Sequence, residues 1–217
     1  MPKIIVFLGP SLDRPAAEKI LAAEYRPPAK RGDIIAAVGD GADIIGLIDG
    51  VFHQDSAVAH REILAAVKKG VKVVGASSMG ALRAAEMDTL GMTGVGEIYR
   101  MYKDGTLVSD DEVALVFDPV SGYSLSEPLI NIRCTLKKAE SSGIITPAEH
   151  TALLAAAKSV FYPQRTYPKI AAVAGDAVCA ATKKRFLDFA ASSPADQKRE
   201  DAIAALEYIK NMVAGQT

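Results

Sequence analysis

Through about the first ninety residues, short apolar runs alternate with stretches of helical spacing. Ile4 to Leu8 is continuously apolar and predicts a first strand, which ends at Gly9-Pro10-Ser11. Asp13 to Ala23 then reads as an amphipathic helix, with Pro15 tolerated in its first turn. Ala23 to Arg26 is a weaker strand, stopped by Pro27-Pro28. After Lys30-Arg31-Gly32, Asp33 to Gly39 predicts a second helix, and Asp43 to Ile48 a third strand. Ser56 to Lys69 is a helix closed by Gly70. Val71, Val73 and Val74 are β-branched, as a strand covered on both faces requires, and Ala81 to Met87 is a run of good helix formers. Such alternation predicts an α/β fold: an open, mostly parallel sheet with helices on both faces.

Beyond Met87 the alternation fades. Gly91 to Gly96 reads as a loop before a short helix, Glu97 to Asp104. Asp110-Asp111-Glu112 could hold a cation, although three consecutive carboxylates more often make a solvated turn, and Val113 to Phe117 reads as a strand. From Ser126 onward the chain is helical in pattern: Ser126 to Ser141, Pro147 to Lys158, Pro168 to Ala191 and Pro194 to Met212. The expected organisation is a sheet domain over residues 1–120 and a C-terminal helical subdomain over 121–217, packed against it.

Composition narrows the function. Apolar residues make up 49% of the 217, and the net charge is −1, so there is no electrostatic footprint for nucleic acid or anionic lipid. No segment has the apolar length to span a bilayer, and the apolar start is too short for a signal peptide; a cytoplasmic location is the expectation. Cys134 and Cys179 lack metal-ligand spacing and read as small core residues. No metal and no cofactor are expected: the GxG at Gly94 to Gly96 does not follow a predicted strand, and no GxxxxGK[ST] string occurs.

The densest chemical signal is Ala76-Ser77-Ser78-Met79-Gly80, between a strand and a helix. Small residues two before and two after Ser78 follow the logic of a nucleophile elbow, although the strict form has glycine where Ala76 stands. That arrangement sets a hydroxyl at the amino end of a helix, where free N–H groups and the helix dipole stabilise an anion or a developing oxyanion. The competing reading is that Ser77 or Ser78 only caps the helix. In an open parallel sheet the loops after the strands converge. Here they carry Gly9-Pro10-Ser11, Pro27 to Asp33, Asp49 to Gln54 and Ser77 to Gly80, and so bring hydroxyls, a carboxylate, the imidazole of His53 and the cations Lys30 and Arg31 to one edge. A phosphate or nucleotide site at the helix amino end is a further possibility on these residues. Tyr162 to Tyr167 is rich in interface-prone residues, which could face a partner or the helical core.

Several strings together resemble one family. Phe7-Leu-Gly-Pro-Ser11, Pro27-Pro28 with Arg31-Gly-Asp33, Ile48-Asp-Gly-Val-Phe-His-Gln54, Ser78-Met-Gly-Ala-Leu-Arg-Ala-Ala-Glu86, Gly91-Met-Thr-Gly-Val-Gly96 and Asp110-Asp-Glu-Val113 are similar, in order, to the TfuA family. The resemblance implies a partner of YcaO enzymes in peptide backbone thioamidation, as on methyl-coenzyme M reductase or ribosomally made peptides. It also implies hydrolysis of the C-terminal thiocarboxylate of a ThiS-type sulfur carrier by a serine and lysine pair, releasing sulfide. Ser78 is then the nucleophile; the resemblance does not fix the lysine, and Lys30, on a loop of that edge beside Arg31, is either a half-buried base or an exposed loop cation, with Lys103 and Lys169 as fallbacks and His53 as a substitute base. The Met79 N–H would hold the oxyanion, and Arg31 and Arg83 would offset the substrate's charge, Arg83 steadied by Glu86. Ser11, Asp49, Ser77 and Gly80 complete the expected substrate edge. The alternative is a non-catalytic adaptor that raises the affinity of YcaO for its peptide.

Overall fold

A computed structural model describes residues 2–52, 56–118 and 122–215. The described residues form a five-stranded sheet in the order β2-β1-β3-β4-β5, with every pairing parallel. Its strands are β1 (Ile4–Phe7), β2 (Glu24–Arg26), β3 (Ile44–Leu47), β4 (Lys72–Gly75) and β5 (Thr93–Gly94). Between them run helices α1 (Arg14–Ile20), α2 (Asp33–Gly39), α3 (His60–Lys68) and α4 (Met79–Met87), and α5 (Glu97–Lys103) follows β5. The α/β class expected from the alternating runs is the one observed. Strand order reverses between β1 and β3, and in doubly wound sheets ligands bind outside the strand ends at such a switch point.

Alternation along the strands serves two cores. Ile5, Phe7, Ile45, Leu47 and Val73 join Ile34, Ala37, Ile63, Ala66, Ala84 and Met87 of α2, α3 and α4. Ile4, Val6, Ile44 and Val74 join Ala17 of α1 and Ala202, Ala205, Leu206 and Ile209 of the last helix. That last helix, Gln197–Ala214, carries its apolar stripe at the spacing a helix needs to bury one face. Gly46 admits it: a Cβ there would lie 3.2 Å from the Ile209 side chain. Asp201 of the same helix accepts the N–H groups of Glu97 and Ile98, at 3.0 and 2.7 Å, and so caps α5. Accordingly the chain divides into two compact units, Met1–Ser109 with Lys198–Thr217, and Asp110–Gln197. The last helix belongs with the sheet, whereas the sequence grouped it with the helices of 121–217.

The helical unit contains α6 (Leu129–Ser141), α7 (Pro147–Ser159), α8 (Tyr167–Val173) and α9 (Ala180–Ser192), around Leu136, Leu153, Ile170 and Phe186; the last helix is α10. The single helix expected over Pro168 to Ala191 is two, because Gly175 at φ 54° takes the left-handed conformation that ends helices. Val113 to Phe117 is not a strand. Val113 and Ala114 are buried, but the segment makes only an isolated bridge from Phe117 to Ser124. Thr93–Gly94, read as loop, pairs with β4. Cys179, expected in the core, is exposed. No helix among the described residues is long and apolar enough to cross a membrane.

Candidate active site

The segment after β4 turns within three residues. Ser78 N–H donates to the Ala76 carbonyl at 2.8 Å, a γ-turn with Ser77 at its apex. Ser77 has φ 65°, a left-handed conformation that L-residues other than glycine rarely take, and among the described residues it is the one non-glycine with positive φ. This is the sharp, strained turn that an elbow needs. It closes because glycines let backbones touch: a Cβ on Gly80 would lie 1.7 Å from the Leu47 carbonyl oxygen, and one on Gly75 would lie 2.3 Å from the Gly80 oxygen. Gly80 is therefore a packing residue, set here as a substrate contact by the sequence.

Ser78 occupies the N-cap position of α4, yet its side chain makes no capping hydrogen bond. The residue is 2% exposed. The Ser78 hydroxyl makes no hydrogen bond among the described residues. Beside it, the Ser77 and Met79 N–H groups make no hydrogen bond among the described residues. The Met79 side chain is buried against Gly50, where a Cβ would come within 2.8 Å of it. What Met79 can present to a ligand is its backbone N–H.

The neighbouring hydroxyl is committed. Ser77 Oγ donates to Ser11 Oγ at 2.9 Å, and Ser11 Oγ donates to Asp49 Oδ1 at 2.7 Å. Asp49 Oδ2 accepts the N–H groups of Gly9 at 2.8 Å and Ser11 at 3.1 Å. Ser77, Ser11 and Asp49 are all buried. They follow β4, β1 and β3, so the chain of bonds crosses the switch point. The loop after β2 joins them through Ala29, which donates to the Asp49 carbonyl at 2.9 Å and accepts from Val51 N–H at 2.9 Å. All four loops expected at one edge do meet there.

The expected cations lie differently. Lys30 is exposed, not half-buried, and its ammonium makes no hydrogen bond among the described residues. No amine or imidazole among those residues hydrogen-bonds to the Ser77 or Ser78 hydroxyl. Arg31 is exposed, its N–H donating to the Ser56 carbonyl at 2.7 Å. Arg83 is held by Glu86 at 2.7 Å, and its Nε donates to the Val58 carbonyl at 2.9 Å; His60 shares the same Glu86 oxygen at 2.7 Å. Lys103 is taken by Asp88 at 2.6 Å, and the lysine's hydrogen bond, with that of Tyr99, holds the Asp88 carboxyl below its ordinary range. Lys169 is an exposed residue of α8 in the helical unit. His53 lies outside the described residues.

Other candidates resolve into structure. Asp111 and Glu112 pair with Arg165 at 2.7 Å and Arg133 at 2.6 Å, and no metal-binding cluster of His, Cys, Asp or Glu occurs among the described residues. Of the two readings of Tyr162 to Tyr167, Arg165 and Tyr167 follow the helical-core one: Arg165 is fully buried, and Tyr167 stacks edge-on against Phe186. At the GxG, the Asp201 carboxylate already occupies the α5 amino end. The sequence missed the hydroxyl chain through Ser11 and Ser77; its one visible trace was a serine after the first strand and an aspartate after the third.

The family model described as TfuA-like protein matches residues 49–166, more than half of the chain. That span includes Asp49 and the whole elbow, while Ser11 and Lys30 precede it. No curated protein matches the chain.

Proposed function

The chain belongs to the TfuA-like family, and on that footing we propose that it is a hydrolase that releases sulfide from the C-terminal thiocarboxylate of a ThiS-type sulfur carrier, in support of YcaO-dependent peptide thioamidation. The observation that carries this reading is the Ser78 hydroxyl: among the described residues it is unbonded, as is the Met79 N–H beside it, at the amino end of α4. Ser78 Oγ attacks the thiocarboxylate carbon and a C–O bond forms. The tetrahedral oxyanion sits against the Met79 N–H and the α4 dipole. Collapse breaks the C–S bond; sulfur leaves as hydrosulfide with the serine's proton, and water then hydrolyses the acyl-serine ester to the carboxylate.

A thiocarboxylate is anionic and hence a poor electrophile, so a cation has to sit close. Arg31 and Lys30 stand on the loop that Ala29 pins to Asp49. Lys30 is the assigned base, and carrier docking has to bring its amine to about 2.6–3.2 Å from Ser78 Oγ. Its exposed side chain is bonded to nothing among the described residues, which leaves it able to move.

The assay is sulfide release from thiocarboxylated carrier by purified protein. Ser78→Ala is expected to lose about 10³-fold or more in kcat with an unchanged melting temperature. Lys30→Ala is expected to lose about 10²- to 10⁴-fold. Full activity in the serine variant refutes the nucleophile. If that variant also sustains thioamidation in complex with YcaO, the chain is an adaptor.

A further inference from the structure

The elbow divides two properties between adjacent serines: Ser77 has the strained backbone, and Ser78 has the hydroxyl that is unbonded among the described residues. A left-handed serine needs something to hold it, because the backbone relaxes to negative φ when nothing opposes it. Ser11 supplies the holding contact. Ser11 spends its proton on Asp49 Oδ1, so it offers Ser77 only lone pairs, and the Ser77 hydroxyl must be the donor. Asp49 cannot swing away, since its second oxygen is gripped by two N–H groups of the loop after β1.

We infer that Asp49, Ser11 and Ser77 form a positioning chain for the elbow: the hydrogen bond from Ser77 to Ser11, given direction by Asp49, holds Ser77 left-handed and thereby aims Ser78 Oγ and the Met79 N–H at the substrate carbon. This rests on the hydrolase reading above. No proton leaves the chain and no bond in it is made or broken during turnover. Ser11, Ser77 and Asp49 are positioning residues, distinct from the Ser78 that touches the reacting atom.

Glycine tolerates positive φ without a Cβ penalty, whereas alanine does not. Ser77→Ala removes the hydroxyl and keeps the strain; Ser77→Gly removes both. The test measures sulfide release from thiocarboxylated carrier and, in parallel, the rate at which an aryl fluorophosphonate modifies Ser78, mapped by peptide mass spectrometry. Ser77→Ala and Ser11→Ala should each lose about 10-fold or more in kcat, equal to about 1.4 kcal/mol, with KM unchanged. Ser77→Gly should lose several-fold less than Ser77→Ala, and adding it to Ser11→Ala should recover part of the loss. Thermal melts identify any variant that fails to fold, and Ser77→Gly with the double variant carries the comparison should Ser11→Ala be unstable.

Folded Ser77→Ala and Ser11→Ala proteins with parental kcat overturn the positioning chain while leaving the hydrolase reading intact. A Ser77→Gly protein as slow as Ser77→Ala also overturns it, because the hydroxyl then acts in the chemistry itself. If the parent releases no sulfide yet is modified at Ser78, the proposed substrate is wrong, and the modification rates of the same variants decide the chain. A parent inert in both assays sinks both.

Discussion

The two units bury polar groups in opposite ways. In the sheet unit the loops after β1, β3 and β4 hide a chain of hydroxyls ending on one carboxylate, anchored on backbone N–H groups. The helical unit instead hides a guanidinium, Arg165 being fully buried against the Ala157 and Asp111 carbonyls and the Asp111 carboxylate, and Glu112 is held bidentately by Arg133. The difference follows from topology. Parallel strands all end on one side, so their loops meet and short side chains span them. Among the described residues the entry to the helical unit, 110–118 and 122–128, joins no ladder, and long charged side chains stitch it down.

Three changes test that contrast, the largest first. Gly80→Ala sets a Cβ 1.7 Å from the Leu47 carbonyl oxygen, with no flexible side chain to yield. It is expected to cost about 4 kcal/mol or more, read as a drop in the denaturation midpoint; a variant as stable as the parent would mean that α4 and β3 do not approach so closely. Arg165→Met should remove about 1–3 kcal/mol from the helical unit. The loss falls below that of a wholly buried pair because the Asp111 side chain is 40% exposed and can be rehydrated. Hydrogen exchange should show it in α7 and 110–128, and exchange confined to β1–β4 would contradict the division.

The smallest change is Glu127→Gln, which works through pH. Burial, with the charge of Asp196 second, raises the Glu127 carboxyl above its ordinary value. The folded state then holds the proton more tightly than the unfolded one, so stability present below the ordinary glutamate range is lost as pH rises through the folded value. Glutamine should therefore be the more stable form near neutrality, with the advantage vanishing in acid; parallel melting curves for both proteins across that range would exclude a buried acid.

Local pattern was legible wherever an element's own residues decided it. β1 and β3 lie inside the runs that predicted them, and α2 matches Asp33 to Gly39 end to end. Failures came where a distant partner decided. Val113 to Phe117 has strand composition and no neighbouring strand among the described residues, while Thr93–Gly94 has neither length nor composition and becomes a strand because β4 lies beside it. Spacing marked the turn around Ser78 and left capping and catalysis both open, and the nucleophile role came from the family resemblance. Nothing local marks Ser77 as a residue whose hydroxyl is bonded 66 positions away.

By itself the chain determined the α/β class, the four loops at one edge and the small-residue turn around two serines, because apolar periodicity and glycine spacing are short-range properties. Only the tertiary structure decided that α10 covers the sheet, that Lys30 stands exposed, and that Ser77 rather than Ser78 bears the strain. Each of those depends on which residues meet across dozens of positions, and that is set by strand order and packing.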